Sequence, residues 1–313
     1  MTTESPESPG MTPVLRHIVH PSDFSDASRT AFAHALKAAL IAKSKLTLIH
    51  VTKDDERDWT EFPGVRDTLE AWNILPPASS QKAVLDLGID IAKIIGRGPD
   101  PVEGVLGYLE EHSADMIVLA THHHGFDWLH KSVSEPVARK SHVMTLFVPA
   151  ETRGFISPAD GSVSLRNILI PVAETPVPGP AIAGAARVVR QLKVEGGTFT
   201  LLHVGDEEPP AATPKVPGWK WRTSLKKGNV TDVILETAKQ IQADLIVMST
   251  DGRNGFLDTL RGSHSERVLR HAPCPVLAIP ESAYIGAKLE KAENADWYRE
   301  LEKPIRRRPA TNV

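Results

Sequence analysis

The stretch ADLIVMST, residues 243–250, is a run of Leu, Ile, Val and Met between an acidic residue and a Ser-Thr step. It is too short for a typical helix and shows no polar alternation, so it fits a strand buried on both faces. Nearly the same run stands earlier, as ADMIVLAT at 114–121, an offset of 129. Working outward from this pair, RHIVHP at 16–21 answers RNILIP at 166–171, an offset of 150. LTLIHV at 46–51 answers FTLLHV at 199–204, an offset of 153. SVSEPVAR at 132–139 answers SHSERVLR at 263–270, an offset of 131. The order is preserved and the period has the size of a domain, so the chain is a tandem duplication.

The offsets also locate the differences. The fall from 153 to 129 removes 24 residues from the second half after its second strand. In the first half that space holds VRDTLEAWNIL, residues 65–75, which reads as a helix. In the second it holds GDEEPPAATPKVPG, residues 205–218, whose four prolines forbid a regular helix. Trp219 and Trp221 follow at once and are placed to cover the sheet face that the missing helix leaves bare.

Further short apolar runs give strands at 15–20, 45–51, 89–96, 115–120 and 143–148, then 166–171, 197–203, 219–225, 243–249 and 275–280. Between them, SDASRTAFAHALKAALIAK, DPVEGVLGYLEEH and NVTDVILETAKQI carry Ser, Asp or Asn caps ahead of helical spacing, the second with proline just inside its start. Apolar strands alternating with helices predict an α/β fold: two tandem open five-stranded parallel sheets with helices on both faces, the second domain lacking one helix. The boundaries fall at 11–150 for the first domain, 151–165 for a linker, 166–283 for the second domain and 284–313 for a C-terminal tail. The edge strands at 143–148 and 275–280 are free to pair with each other, which would make the monomer a pseudo-dimer; a further homodimer stays open.

Composition narrows the function. With 41% hydrophobic residues, 24% charged residues and a net charge of −3, the chain is an ordinary globular one without a basic field for nucleic acid or anionic lipid. Cys274 is the one cysteine, so no disulfide framework or thiolate metal cluster is available, and its place in APCPVLAI predicts a buried, inert thiol. The N-terminal MTTESPESPG has no basic start or apolar core, and no apolar run reaches the ~20 residues that span a bilayer. A cytoplasmic location is expected. Arg306, Arg307 and Arg308 read as a solvated end.

In open parallel sheets, ligands bind beyond the carboxyl ends of the strands. There the second half presents PVAET, HVGD and STDGRNGFLDTLRGSHSERVL, the last at 249–269. Gly252 and Gly255 allow close backbone approach, and Gly262-Ser263 opens a helix whose free amides favour an anion. Ser263 also fits an N-cap, with Glu266 completing a capping box. Arg253 and Arg261 are cations of the kind that clamp phosphate.

These segments resemble the universal stress protein family in its tandem form. IVHPSDFSDASRTAFAHAL is similar to its first strand, acidic turn and first helix, and STDGRNGFLDTLRGSHSERVLRHAPCPVLAIP to its C-terminal signature. The resemblance covers roughly 14–150 and 165–281 and implies strand order 3-2-1-4-5 in each half. It also implies a branch that binds adenine nucleotide through Gly, two residues, Gly, nine residues, then Gly-Ser or Gly-Thr. Here Gly252, nine residues and Gly262-Ser263 follow that pattern, while Ser249 holds the leading position and Ala173 the acidic one. The first half has Asp23 at the acidic position, but Ala120, His123 and Lys131 stand where the glycines belong, in a loop two residues shorter. ATP or a related adenine nucleotide, with Mg if supplied, is therefore expected in the second half alone. Its phosphates would lie by Gly252, Arg253, Gly255, Gly262 and Ser263, near Ser249 and Ala173, and its base near Val204.

Two imidazoles and a carboxylate from His20, Asp23, His122 and His123 could converge on a metal, though their spacing matches no metal motif and a polar loop is the plainer reading. His50 and His203 sit at equivalent positions, which predicts a structural hydrogen bond in each half. There is no GxxxxGK[ST] loop and no adenylating or pyrophosphatase motif. Asp251 and Asp258 have nothing to orient them as a base. A regulator acting through an unidentified protein partner is thus expected, rather than a catalyst, with weak ATP hydrolysis left open. The alternative is a ligand-free scaffold, with or without the metal.

Overall fold

The computed structural model describes residues 15–53, 59–121, 133–152, 154–207, 211–250 and 264–281. In the first half the strands are β1 (His17–Pro21), β2 (Lys45–Thr52), β3 (Asp90–Arg97), β4 (Met116–Thr121) and β5 (Met144–Pro149). In the second they are β6 (Asn167–Pro171), β7 (Gly197–Val204), β8 (Trp219–Lys226), β9 (Leu245–Thr250) and β10 (Val276–Pro280). Each lies within two residues of its expected place. The helices described are α1 (Asp26–Ala42), α2 (Val65–Ala71), α3 (Gln81–Asp86), α4 (Pro101–Glu111) and α5 (Ser134–Ser141), then α6 (Gly179–Gln191), α7 (Val230–Gln240) and α8 (His264–His271). The caps act as expected: Ser25 accepts from the Ser28 amide, Asp100 from Val102, and Asn229 from Thr231 and Asp232.

Each half has the expected strand order, but the two sheets are not separate. A single ten-stranded sheet runs β3-β2-β1-β4-β5-β10-β9-β6-β7-β8. All pairs within a half are parallel, and β5 meets β10 antiparallel, with Phe147 opposite Val276 and Thr145 opposite Ala278. The reason is the cost of an edge. Both strands are apolar and almost wholly buried, so each would expose unpaired amides and carbonyls beside hydrophobic side chains. Pairing them satisfies both edges and joins the halves along the line the sequence left free.

The two faces of the sheet carry separate cores. One is built by α1, α6 and the residues between β5 and β6, including Phe32, Leu36, Ile182, Phe155 and Ile156. The other is built by α4, α5, α7 and α8, including Leu106, Val137, Ile234 and Val268. Cys274 is buried in this second core, where desolvation pushes its thiol far up. Among the described residues no helix is long and apolar enough to cross a membrane.

The acidic residue opening each copy of the duplicated run has the same task. Asp115 Oδ2 accepts from the amides of Arg16 and His17 at 2.7 and 2.9 Å. Asp244 Oδ2 accepts from Arg166 and Asn167 at 2.7 and 2.8 Å. Each carboxylate thus ties the start of one central strand to that of its neighbour. Asp244→Ala is expected to lower stability by about 2 kcal/mol, since charge-assisted bonds to two amides are lost. Urea unfolding measures this, and an unchanged midpoint would show that water replaces the carboxylate without loss.

The insertion in the first half covers the outer sheet with Phe62, Leu69, Trp72 and Val84, all buried. The helix expected at 65–75 ends as α2 at Ala71, and α3 follows it. In the second half Trp219 and Trp221 do the covering. Both rings lie against Phe199, at centroid distances of 4.5 and 4.1 Å. Their indole N–H groups donate to Val194 O and Pro214 O, at 3.0 and 2.9 Å.

The segment 154–165, expected as a linker, is docked on the first half. Ile156 bridges antiparallel to Val163, and Phe155, Ile156 and Leu165 are buried. His34, on α1, accepts at Nε2 from the Phe155 and Ile156 amides at 3.1 and 3.3 Å. Trp72 Nε1 donates to Pro158 O at 3.0 Å. Gly154 has φ +64 and its backbone lies against the His34 ring, where a side chain would be both strained and excluded.

Candidate functional site

The candidate sites lie where the strand ends splay, beyond β1, β2 and β4 in one half and β6, β7 and β9 in the other. In the second half Ala173 follows β6 and is half-buried, and Val204 ends β7 and is half-buried. Ser249, in β9, is buried, and its hydroxyl accepts from the Ala181 amide in the first turn of α6 at 3.1 Å. The side chain replacing the leading glycine is thus committed to a helix N-terminus. Gly252, Arg253, Gly255, Gly262 and Ser263 lie outside the described residues.

In the first half Asp23 is exposed, and its Oδ1 accepts from the Ser25 amide at 3.0 Å and from the Ser25 and Ser28 hydroxyls at 2.6 Å. The carboxylate at the acidic position therefore organises the start of α1. His20 does not line the crevice: it is fully buried beside Phe32, and its Nδ1 donates to Val118 O at 2.9 Å. Burial lowers its pKa, so the ring is held neutral. His122 and His123 lie outside the described residues, and among those described no three His, Cys, Asp or Glu side chains are gathered to hold a metal.

The paired histidines behave as the duplication predicts. His50 Nδ1 donates to Ser22 O at 2.7 Å, and His203 Nδ1 donates to Val172 O at 2.8 Å. Each bond pins the end of a second strand to the turn after the first.

What the sequence did not reveal is the aromatic filling of the first crevice. Phe24, at φ +64, stacks on His50 with ring centroids 4.2 Å apart. Phe62 meets Phe24 edge-on at 5.1 Å. Lys93 lies over the rings of Trp59 and Phe62 at 5.9 and 6.0 Å, and desolvation lowers its pKa. The one sequence signal was an aromatic residue directly after Asp23, in HPSDFS.

The Universal stress protein family profile matches residues 15–149 and 216–280, taking in most of the sheet and the first-half crevice but not β6 or β7. The chain belongs to the universal stress protein family. A universal stress protein of Methanocaldococcus jannaschii is 37% identical over 94 residues, 28% of this chain and 55% of that relative. One from Thermus aquaticus is 42% identical over 55 residues, 18% of this chain and 40% of the relative. The alignments thus span about half or less of these relatives. Among solved structures, a universal stress protein from Archaeoglobus fulgidus aligns with TM-score 0.57 at 20% identity, over 86% of this chain and 97% of its own. A putative universal stress protein from Pseudomonas aeruginosa aligns with TM-score 0.57 at 14% identity, over 89% and 98%. Those structures share the fold of this universal stress protein.

Proposed function

We propose that the chain is a regulator that senses an adenine nucleotide, ATP or a relative with or without Mg, in the crevice of its second half. The observation that carries this reading is the Ser249 hydroxyl. Committed to the Ala181 amide, it departs from the glycine pattern while tying β9 to the first turn of α6. Ala173 and Val204 flank that crevice with small or modest apolar side chains. In this reading the phosphates rest on the amides around Gly252, Gly255, Gly262 and Ser263, with Arg253 as a cation beside them. No bond is made or broken. Binding shifts the population of states that a protein partner meets.

The test is calorimetric titration of nucleotide-free protein with Mg-ATP beside a Gly262→Val variant. One site per chain, weakened at least tenfold by the variant, is the expected result. No heat at millimolar ATP would leave the chain a ligand-free scaffold.

A further inference from the structure

The duplication supplies an internal comparison of the two crevices. His50 and His203 are held by equivalent hydrogen bonds, to Ser22 O and Val172 O. In the first half a planar ring already lies on the imidazole: Phe24, stacked at 4.2 Å and 30°, with Phe62 closing on it edge-on. In the second half the residue equivalent to Phe24 is Glu174, which is exposed and has no ring. Phe62 belongs to the insertion for which the second half has only the shorter Pro-rich segment. Among the described residues, no ring stacks on His203, which is half-buried.

Two neighbours make the same point. Leu225 lies opposite His203 in the sheet and is 42% exposed, whereas Ile95, opposite His50, is half-buried. Gly205 lies at the Nε2 edge of His203, where a side chain would collide with the ring. Among the described residues the imidazole is therefore fixed at Nδ1, met by backbone at its edge and left without an aromatic partner on its face. It stands next to Val204, where the base is expected.

We propose that His203 is the stacking surface for the planar base of the ligand, in the position that Phe24 fills for His50. This deepens the nucleotide reading above and rests on it. The chemistry required of the ligand is a flat, π-rich heterocycle attached to the phosphates, which separates a nucleotide from a simple polyphosphate. It also gives the asymmetry of the halves a cause: one crevice carries its own aromatic occupant, and the other receives one from solution.

The experiment compares Mg-ATP with inorganic tripolyphosphate, by calorimetry, on four proteins: the native chain, His203→Leu, His203→Phe and Glu174→Phe. His203→Leu is expected to raise the Kd for ATP about tenfold, the scale of one base–aromatic stack, and to leave tripolyphosphate unchanged. His203→Phe keeps a ring but loses the bond to Val172 O, and should restore ATP binding. Glu174→Phe should place a ring on His203, as Phe24 does on His50, and weaken ATP selectively. Equal loss of ATP in the Leu and Phe variants would assign His203 a purely structural role and overturn the proposal. Equal affinity of the native chain for ATP and tripolyphosphate would overturn it too, while leaving a phosphate cradle in place. Binding of neither probe would overturn the nucleotide reading itself.

Discussion

Replacing Phe199 with alanine is expected to lower the unfolding free energy by about 3–5 kcal/mol, among the largest effects of any single core substitution in this chain. Phe199 is fully buried in β7 and carries the rings of Trp219 and Trp221 on one face of the sheet. Those rings stand where the first half has the insertion with Phe62, Leu69 and Trp72. Removing the phenyl ring deletes apolar contact and leaves a cavity that cannot easily close. Both indoles are anchored by N–H bonds, to Val194 O and Pro214 O, and cannot both follow the missing ring inward. Leu46, the first-half equivalent of Phe199, is also fully buried in the same core. Leu46→Ala is the natural control at about 2–5 kcal/mol, a core truncation away from Trp219 and Trp221. Denaturation followed by intrinsic fluorescence reads both the loss and the shift in indole environment. A loss below about 1 kcal/mol for Phe199→Ala would mean that the tryptophans do not depend on that ring.

The strands were legible because their signal is local. A run such as MIVLAT or LIVMST has no polar face to offer solvent, so it must lie inside a two-faced sheet, and its ends follow from where the apolar residues stop. The caps at Ser25, Asp100 and Asn229 were legible for the same reason: each side chain bonds to an amide two or three residues on. What failed to show were contacts between distant residues. His34 meets Phe155 across 121 positions, and Trp72 meets Pro158 across 86, and neither pair leaves a periodic trace. Hence a docked hairpin reads as a plain linker. The merging of the two sheets was half legible: β5 and β10 were identified as edges in need of partners, but one continuous sheet needs their antiparallel approach in three dimensions. At the site, the rule for strand ends picked out the segments holding Ala173, Val204 and Ser249, and the family resemblance singled out Ala173 and Ser249 within them. The stacking of Phe24 on His50 depends on a single residue at φ +64, which no spacing announces.

Acidification from pH 7 to pH 4 is expected to cost about 3 kcal/mol of stability through His34 alone. The ring is 2% exposed; Nδ1–H donates to Thr30 O at 2.8 Å, and Nε2 accepts from the two amides of the docked hairpin. Only the neutral ring can accept at Nε2, and burial lowers the pKa from 6.5 to about 4. Between these values the unfolded chain binds a proton that the folded chain does not, so stability falls as pH drops through 6.5 and levels off below about 4. At about 1.4 kcal/mol per unit, the interval corresponds to the loss given. His17 and His20, whose pKa values desolvation also lowers, act in the same direction. Asp160 acts in a separate window: hydrogen bonds from Ser162 hold it at about 2, so its contribution is lost only below about pH 4. His34→Gln separates the terms. The amide oxygen can still accept from the hairpin but cannot titrate, so the variant should keep the fold at pH 7 and lose most of the slope between pH 6.5 and 4. If His34→Gln and the native chain lose equal stability over that interval, the ring does not carry the titration. The cost of acid must then be sought at His17 and His20. If instead the variant flattens the profile, the hairpin joining the two halves is held by a neutral imidazole, and its grip on the first half loosens as that ring takes up a proton.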